Sequence, residues 1–62
     1  MKNGMKELYP GQWFTLNGHE WLYVKAELGN VTIRDEKIVV TYGLDAFRII
    51  MRNNGYEVEV DP

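Results

Sequence analysis

The sequence lacks cysteine and serine altogether, and it contains a single histidine among 62 residues. Without cysteine there is no disulfide to support a small core, and no thiolate to serve as a nucleophile or metal ligand. The aliphatic hydroxyls that remain belong to Thr15, Thr32 and Thr41, each inside a predicted strand. No catalytic triad can be built from these residues, so we expect a protein that is not an enzyme and has no catalytic residues.

Ligands for a metal or a cofactor are equally scarce. A zinc site at His19 would have to be completed by carboxylates alone, because the His19-Glu20 pair lacks the second histidine of the metalloprotease pattern. The six glycines occur singly and match neither phosphate-binding pattern, GxxxxGK[S/T] or GxGxxG. The acidic pairs at 35–36 and at 57 and 59 fall in a predicted turn and on the outward side of a predicted strand. We expect them to be hydrated surface groups, and we expect no metal and no cofactor.

Long apolar runs and an excess of one charge are also missing. No segment approaches the roughly 20 apolar residues of a membrane span, and no signal-peptide core follows the first seven residues. Seven basic and nine acidic side chains give a net charge of −2. This balance is unlike that of domains whose affinity depends on phosphate contacts. The sequence predicts a cytoplasmic protein with no membrane partner, and it disfavours nucleic acid as a partner.

What is present indicates a folded domain. The hydrophobic content of 45% and aromatic content of 13% exceed those of disordered chains. A chain of this length nevertheless buries only about 60% of the surface that it exposes when unfolded. Small domains without disulfides gain stability from a metal, from self-association or from close packing. Homodimerisation or a protein partner is therefore a physical expectation for this chain.

Two β-hairpins are predicted in the first two thirds of the chain. Asn17-Gly18 separates the strand-like segments 12–16 and 19–25, and this dipeptide favours the positive φ angles of a two-residue hairpin turn. Segments 31–34 and 38–42 are rich in β-branched residues and flank a charged turn. We expect an antiparallel meander of four strands.

The hydrophobic period then changes from that of a strand to that of a helix. Residues 44–53 place Leu44, Phe47 and Met51 on one side, with charged residues opposite, and Asn54-Gly55 favours termination. Residues 56–60 alternate as a final strand. The sequence therefore predicts an α+β fold in the order β-β-β-β-α-β, in a single domain spanning 10–62. Residues 1–9 show neither period and are predicted to be a mobile lead-in.

Both faces of the first hairpin carry large apolar side chains. The two-residue turn fixes the register, so one face pairs Leu16 with His19, Phe14 with Trp21, and Gln12 with Tyr23. The other face pairs Thr15 with Glu20 and Trp13 with Leu22, with Val24 further along. The sequence leaves open which face is the core. The greater aromatic area of the first face favours placing it under the helix.

That choice leaves an apolar patch formed by Trp13, Leu22 and Val24, and three outcomes are open for it. Residues 1–9, which include Met5, Leu8 and Tyr9, could fold over it, or the meander could close into a barrel. Alternatively the patch is a binding surface, since exposed Trp and Tyr beside aliphatic residues are typical of interface centres. Ile49, toward the polar side of the helix, is a further candidate partner-binding residue.

Three functions are compatible with these features. The first is a non-catalytic protein-binding module. The second is a single-stranded nucleic-acid binder, in which aromatic and basic residues on the strands would stack bases; nearby acidic residues count against it. The third is a homodimeric or structural subunit of a larger assembly. For the nucleic-acid hypothesis, the residues that would contact the bases and the phosphates are Trp13, Phe14, Trp21, Tyr23, Lys25 and Arg34.

In its length, its compactness and its lack of catalytic residues, the chain resembles the small accessory proteins that bacteriophages and other mobile elements encode to inhibit or redirect a host protein. The resemblance covers no specific motif and assigns no residue. It implies stoichiometric binding in the host cytoplasm, either through the apolar patch or by pairing of an exposed sheet edge with the target.

Overall fold

The structure is a computed structural model that describes residues 4–60. The α+β prediction is confirmed: four antiparallel strands, one helix and a final strand occur in the expected order. An additional strand precedes them. The elements are β1 (Lys6–Leu8), β2 (Trp13–Leu16), β3 (His19–Glu27), β4 (Asn30–Arg34), β5 (Val39–Gly43), α1 (Leu44–Arg52) and β6 (Tyr56–Val58).

The meander forms one sheet in the order β2-β3-β4-β5. Asn17 (φ 54°) and Gly18 (φ 79°) form the first turn, and the predicted pairing is confirmed from Leu16 with His19 to Trp13 with Leu22. Leu28 (φ 54°) and Gly29 (φ 78°) form a second turn of the same length between β3 and β4. Each strand is therefore adjacent in the sheet to its neighbour in the sequence.

A β-bulge interrupts β3. Tyr23 pairs with Ile33 and Lys25 pairs with Thr32, so Val24 is an extra residue with no partner of its own on β4. Such a bulge puts two residues opposite one and shifts the alternation of side chains. Tyr23 and, after the bulge, Ala26 both pack toward the core, which leaves Val24 and Lys25 on the other side of the sheet.

The core lies between one face of this sheet and α1. Phe47 and Met51 of the helix are fully buried, as the helical spacing predicted. The Phe47 ring lies 6.0 Å from the Phe14 ring, 6.1 Å from Tyr23 and 5.9 Å from Tyr42, measured between centroids. The prediction that the face with more aromatic area is the core is therefore confirmed.

The first strand and the last form a separate parallel pair. Leu8 of β1 lies opposite Val58 of β6, and both are buried in the same core. The Tyr23 hydroxyl donates a 2.6 Å hydrogen bond to the Glu59 carbonyl and so ties the segment after β6 to the sheet. The sequence predicted no strand before residue 10, because three residues with one buried side chain produce no measurable period. In the structure the packed fold therefore begins at β1, and not at residue 10 as the sequence predicted.

The predicted mobile lead-in also includes residues 1–3, which lie outside the described residues. Several other predicted boundaries differ by one or two residues from those observed, including one or both ends of each strand in the meander. The helix ends at Arg52 rather than at residue 53, and the final strand ends at Val58 rather than at residue 60. Within residues 4–60, no helix has the length and hydropathy needed to cross a membrane.

Candidate functional site

The candidate site lies on the face of the four-stranded sheet opposite α1, which we call the outer face. Trp13 and Val39 point outward from this face and are 56% and 64% exposed. On the other face, Phe14 and Tyr23 are 3% and 0% exposed. A large indole on a sheet face that the helix does not cover is the feature that most needs a functional explanation.

Strand register aligns four outward side chains in one row across the sheet. Trp13 pairs with Leu22, Leu22 with Arg34, and Arg34 with Val39. We call these four residues the outer row. The row combines an indole, two aliphatic groups and one guanidinium, and Trp and Arg are the side chains most enriched at energetically dominant interface positions. Leu22 is half-buried between its neighbours, so the row is continuous rather than a set of isolated residues.

Polar residues surround the outer row on the same face. Thr15 pairs with Glu20 on one side of it, and Thr32 pairs with Lys25 and with Thr41 on the other. Lys25 Nζ lies 3.2 Å from Glu27 Oε1 in an exposed ion pair. An apolar strip with a polar rim of both charge signs is the general arrangement of a non-obligate protein interface.

A surface concavity of about 750 Å³ adjoins Trp13 at the end of the sheet where the β2–β3 and β4–β5 turns meet. The indole forms one wall, and residues of the two turns form the others. The concavity is open to solvent, and its lining carries both acidic and basic groups. It extends the apolar strip into a recess suited to a protruding side chain. Its lining residues are Trp13, Gly18, His19, Glu20 and 35–37.

Asp35 organises the floor of this recess. Its Oδ1 accepts hydrogen bonds from the Lys37 and Ile38 backbone N–H groups at 2.7 and 2.8 Å, and its Oδ2 lies 2.8 Å from His19 Nε2. Donation from Ile38, then Lys37, then His19 stabilises the carboxylate and lowers the pKa of Asp35 to about 2. The carboxylate thus joins the two turns and remains ionised at neutral pH.

His19 lies opposite Leu16, as predicted, and its side chain is 54% exposed. Its ring is also 4.7 Å from the Trp21 ring between centroids. The bond to Asp35 could not be predicted, since it joins residues of two different hairpins. No group of three or more His, Cys, Asp or Glu side chains in the described part of the chain is placed to hold a metal ion.

The structure brings three of the four predicted partner-binding residues together. Trp13 and Leu22 are cross-strand neighbours, and Val24, 36% exposed, follows on the same face because of the bulge. Ile49 is exposed as predicted, at 63%, but it lies on the solvent side of α1 and therefore on the opposite side of the domain. It cannot belong to the same contact surface as the other three.

Val39 is a residue of the site that sequence reasoning missed. Its pairing with Arg34 depends on the length of the β4–β5 turn, and the charged turn left that length open. Asp35 accepts hydrogen bonds from the Lys37 and Ile38 backbone N–H groups, and these bonds determine where that turn ends. Asp at the start of a turn commonly makes such bonds, so Asp35 was the feature of the sequence from which the length of the turn could have been predicted.

The two predicted ways of covering the patch do not occur among residues 4–60. Leu8 packs into the core with Phe14 and Val58 instead of over Trp13, and Tyr9 is itself 38% exposed. The sheet begins at β2 and ends at β5 without pairing between them, so it is not a closed barrel.

No protein-family model, curated protein or solved structure matches the chain. The geometry of the outer face is therefore the basis for the function considered next.

Proposed function

We propose that this chain is a non-catalytic protein-binding module that contacts its partner through the outer row. The observation that carries the proposal is the pairing of a 56% exposed Trp13 with the half-buried Leu22 on a sheet face that α1 does not cover. Burial of an aromatic side chain of this size contributes about 1.5–3 kcal/mol or more to association, which is enough to dominate a small interface.

The partner surface should combine an apolar projection with an acidic group. The recess beside Trp13 can receive the projection, and Arg34, exposed at the middle of the outer row, can pair with a carboxylate in a bidentate manner. The polar rim then sets orientation more than affinity. Binding would be stoichiometric, and the partner would be affected by losing access to the surface that this domain covers.

The resemblance to phage and mobile-element accessory proteins fits this mode of action. An inhibitor that works by occupation needs a stable exposed face, and Trp13 and Leu22 on a folded sheet provide an exposed apolar one. We therefore propose a host defence or regulatory protein in the cytoplasm as the class of partner.

Nucleic-acid binding, the second function compatible with the sequence, has less support. Two of the four aromatic residues that would stack bases, Phe14 and Tyr23, are buried at 3% and 0% exposure, and Trp21 packs partly against the core. Trp13 is then the main exposed ring beside the basic residues. A stacking platform for successive bases requires several exposed rings on one face.

Affinity capture from lysate of the source cell or its host tests the proposal. The bait is used as the native chain and as Trp13→Ala, each with and without nuclease treatment. Supporting data are a protein recovered in near-stoichiometric amount, insensitive to nuclease and depleted at least tenfold with Trp13→Ala. Recovery that disappears with nuclease, or that is unchanged by Trp13→Ala, contradicts the proposal. Unchanged circular dichroism of the variant shows that it is folded.

A further inference from the structure

The two edges of the four-stranded sheet are protected to different degrees. At the β2 edge the Thr15 backbone N–H donates to the Tyr56 hydroxyl at 3.3 Å, so a side chain occupies part of that edge. The β5 edge, with the sequence Val-Val-Thr-Tyr-Gly, contains no charge, no proline and no bulge. Those three features are among the means by which natural sheets prevent pairing of their edges. The β5 edge has none of them.

Backbone groups of β5 that point away from β4 can be identified from the hydrogen bonds at its two ends. Asp35 N–H donates to the Ile38 carbonyl at 3.0 Å, and Leu44 N–H donates to the Gly29 carbonyl at 2.9 Å. Even-numbered residues of this strand therefore direct their backbone groups toward β4. Because the pattern alternates in an antiparallel pair, Val39, Thr41 and Gly43 direct theirs outward.

We propose that β5 pairs antiparallel with β5 of a second copy, about a two-fold axis at Thr41, so that two sheets become one of eight strands. Full overlap of the strand places Thr41 opposite Thr41 of the second copy and Val39 opposite Gly43. In the Thr41–Thr41 pair and in the Val39–Gly43 pair, the backbone N–H and C=O groups of both residues point toward the second copy. All three outward residues on each chain then exchange hydrogen bonds, and the contact is isologous, as a two-fold dimer requires.

Side chains in this register are complementary as well. Val40 lies opposite Tyr42 of the second copy on the helix side, and the two Thr41 hydroxyls meet on the outer face. Aromatic with β-branched and threonine with threonine are both favourable classes of cross-strand pair. This self-complementarity singles out a second copy as the occupant of the edge.

The dimer contact overlaps the proposed partner contact only at its β5 end, where Val39 belongs to the outer row and Thr41 to its polar rim. Trp13 lies on β2, at the opposite edge of the sheet, and stays free when two β5 strands pair. The outer faces of both copies become continuous, so the dimer would present two outer rows side by side. Trp13→Ala therefore perturbs the proposed partner contact without changing β5.

Sedimentation velocity across a hundredfold range of protein concentration, combined with amide hydrogen exchange, tests the proposal. We expect a monomer–dimer equilibrium, with exchange at Thr41 slowed as the dimer forms. Thr41→Lys puts two ammonium groups at the axis and should raise the dimer dissociation constant at least tenfold. Thr15→Lys is the matched control, because it makes the same change at an exposed threonine of the same face on the other edge.

A chain that stays monomeric at every concentration overturns the proposal. A dimer that forms equally well with Thr41→Lys, or that is lost equally with Thr15→Lys, also overturns it, since β5 pairing would then not be the contact.

Discussion

Truncation of Leu8 measures how much the first strand contributes to the fold. Leu8 is 2% exposed and packs in the core with Phe14 and Val58, although it belongs to a strand of only three residues. Leu→Ala at a buried position costs about 2–5 kcal/mol through lost transfer energy and the remaining cavity. A domain of 62 residues has a total free energy of unfolding of about 3–9 kcal/mol. We therefore expect Leu8→Ala to remove at least about a fifth of it, and most of it if the domain lies at the lower end of that range.

Urea denaturation followed by tryptophan fluorescence is the assay, and Leu28→Ala is the control. Leu28 is 91% exposed in the β3–β4 turn, so the same substitution there should change the free energy of unfolding by no more than about 0.5 kcal/mol. The midpoint should fall strongly for Leu8→Ala and hardly at all for Leu28→Ala. Equal midpoints would refute the conclusion that β1 is part of the packed fold.

Three further predictions concern single contacts. The pKa of Asp35 lies below its unfolded value, so the stability it contributes is present above about pH 4 and is lost as the pH falls toward about 2; acid unfolding monitored by circular dichroism should lose this component in Asp35→Asn. Tyr23→Phe removes the hydroxyl bonded to the Glu59 carbonyl and should cost about 1 kcal/mol in urea denaturation. Gly18→Ala should cost about 1–2 kcal/mol because φ is 79°, whereas Gly43→Ala, at φ −65°, should be close to neutral; equal effects would contradict the turn assignment.

Features that depend on neighbouring residues could be predicted from the sequence. Asn17-Gly18 determined the register of the first hairpin, and that register determined that Trp13 and Leu22 would be neighbours. The helical spacing of Phe47 and Met51 determined which face of α1 is buried. In each case the residues that determine the structure are close together in the sequence, and they strongly favour one local conformation.

Features that depend on distant residues could not be predicted. The β1–β6 pair joins the two ends of the chain, and Leu8 alone gives no sign that it packs against Val58. The bond from His19 to Asp35 likewise joins two hairpins whose relative positions are known only once the sheet is formed. Ile49 was grouped with the patch because the sequence shows that it is exposed without showing on which side of the domain it lies.

The most direct test of the central claim compares the affinity of the captured partner for the native chain, Trp13→Ala and Ile49→Ala by isothermal titration calorimetry. The two side chains are similarly exposed, at 56% and 63%, but lie on opposite sides of the domain. If the outer row is the contact surface, Trp13→Ala raises the dissociation constant at least tenfold and Ile49→Ala leaves it within about twofold, a difference of roughly 1 kcal/mol or more. An equal loss in both variants, or a loss with Ile49→Ala alone, would contradict it.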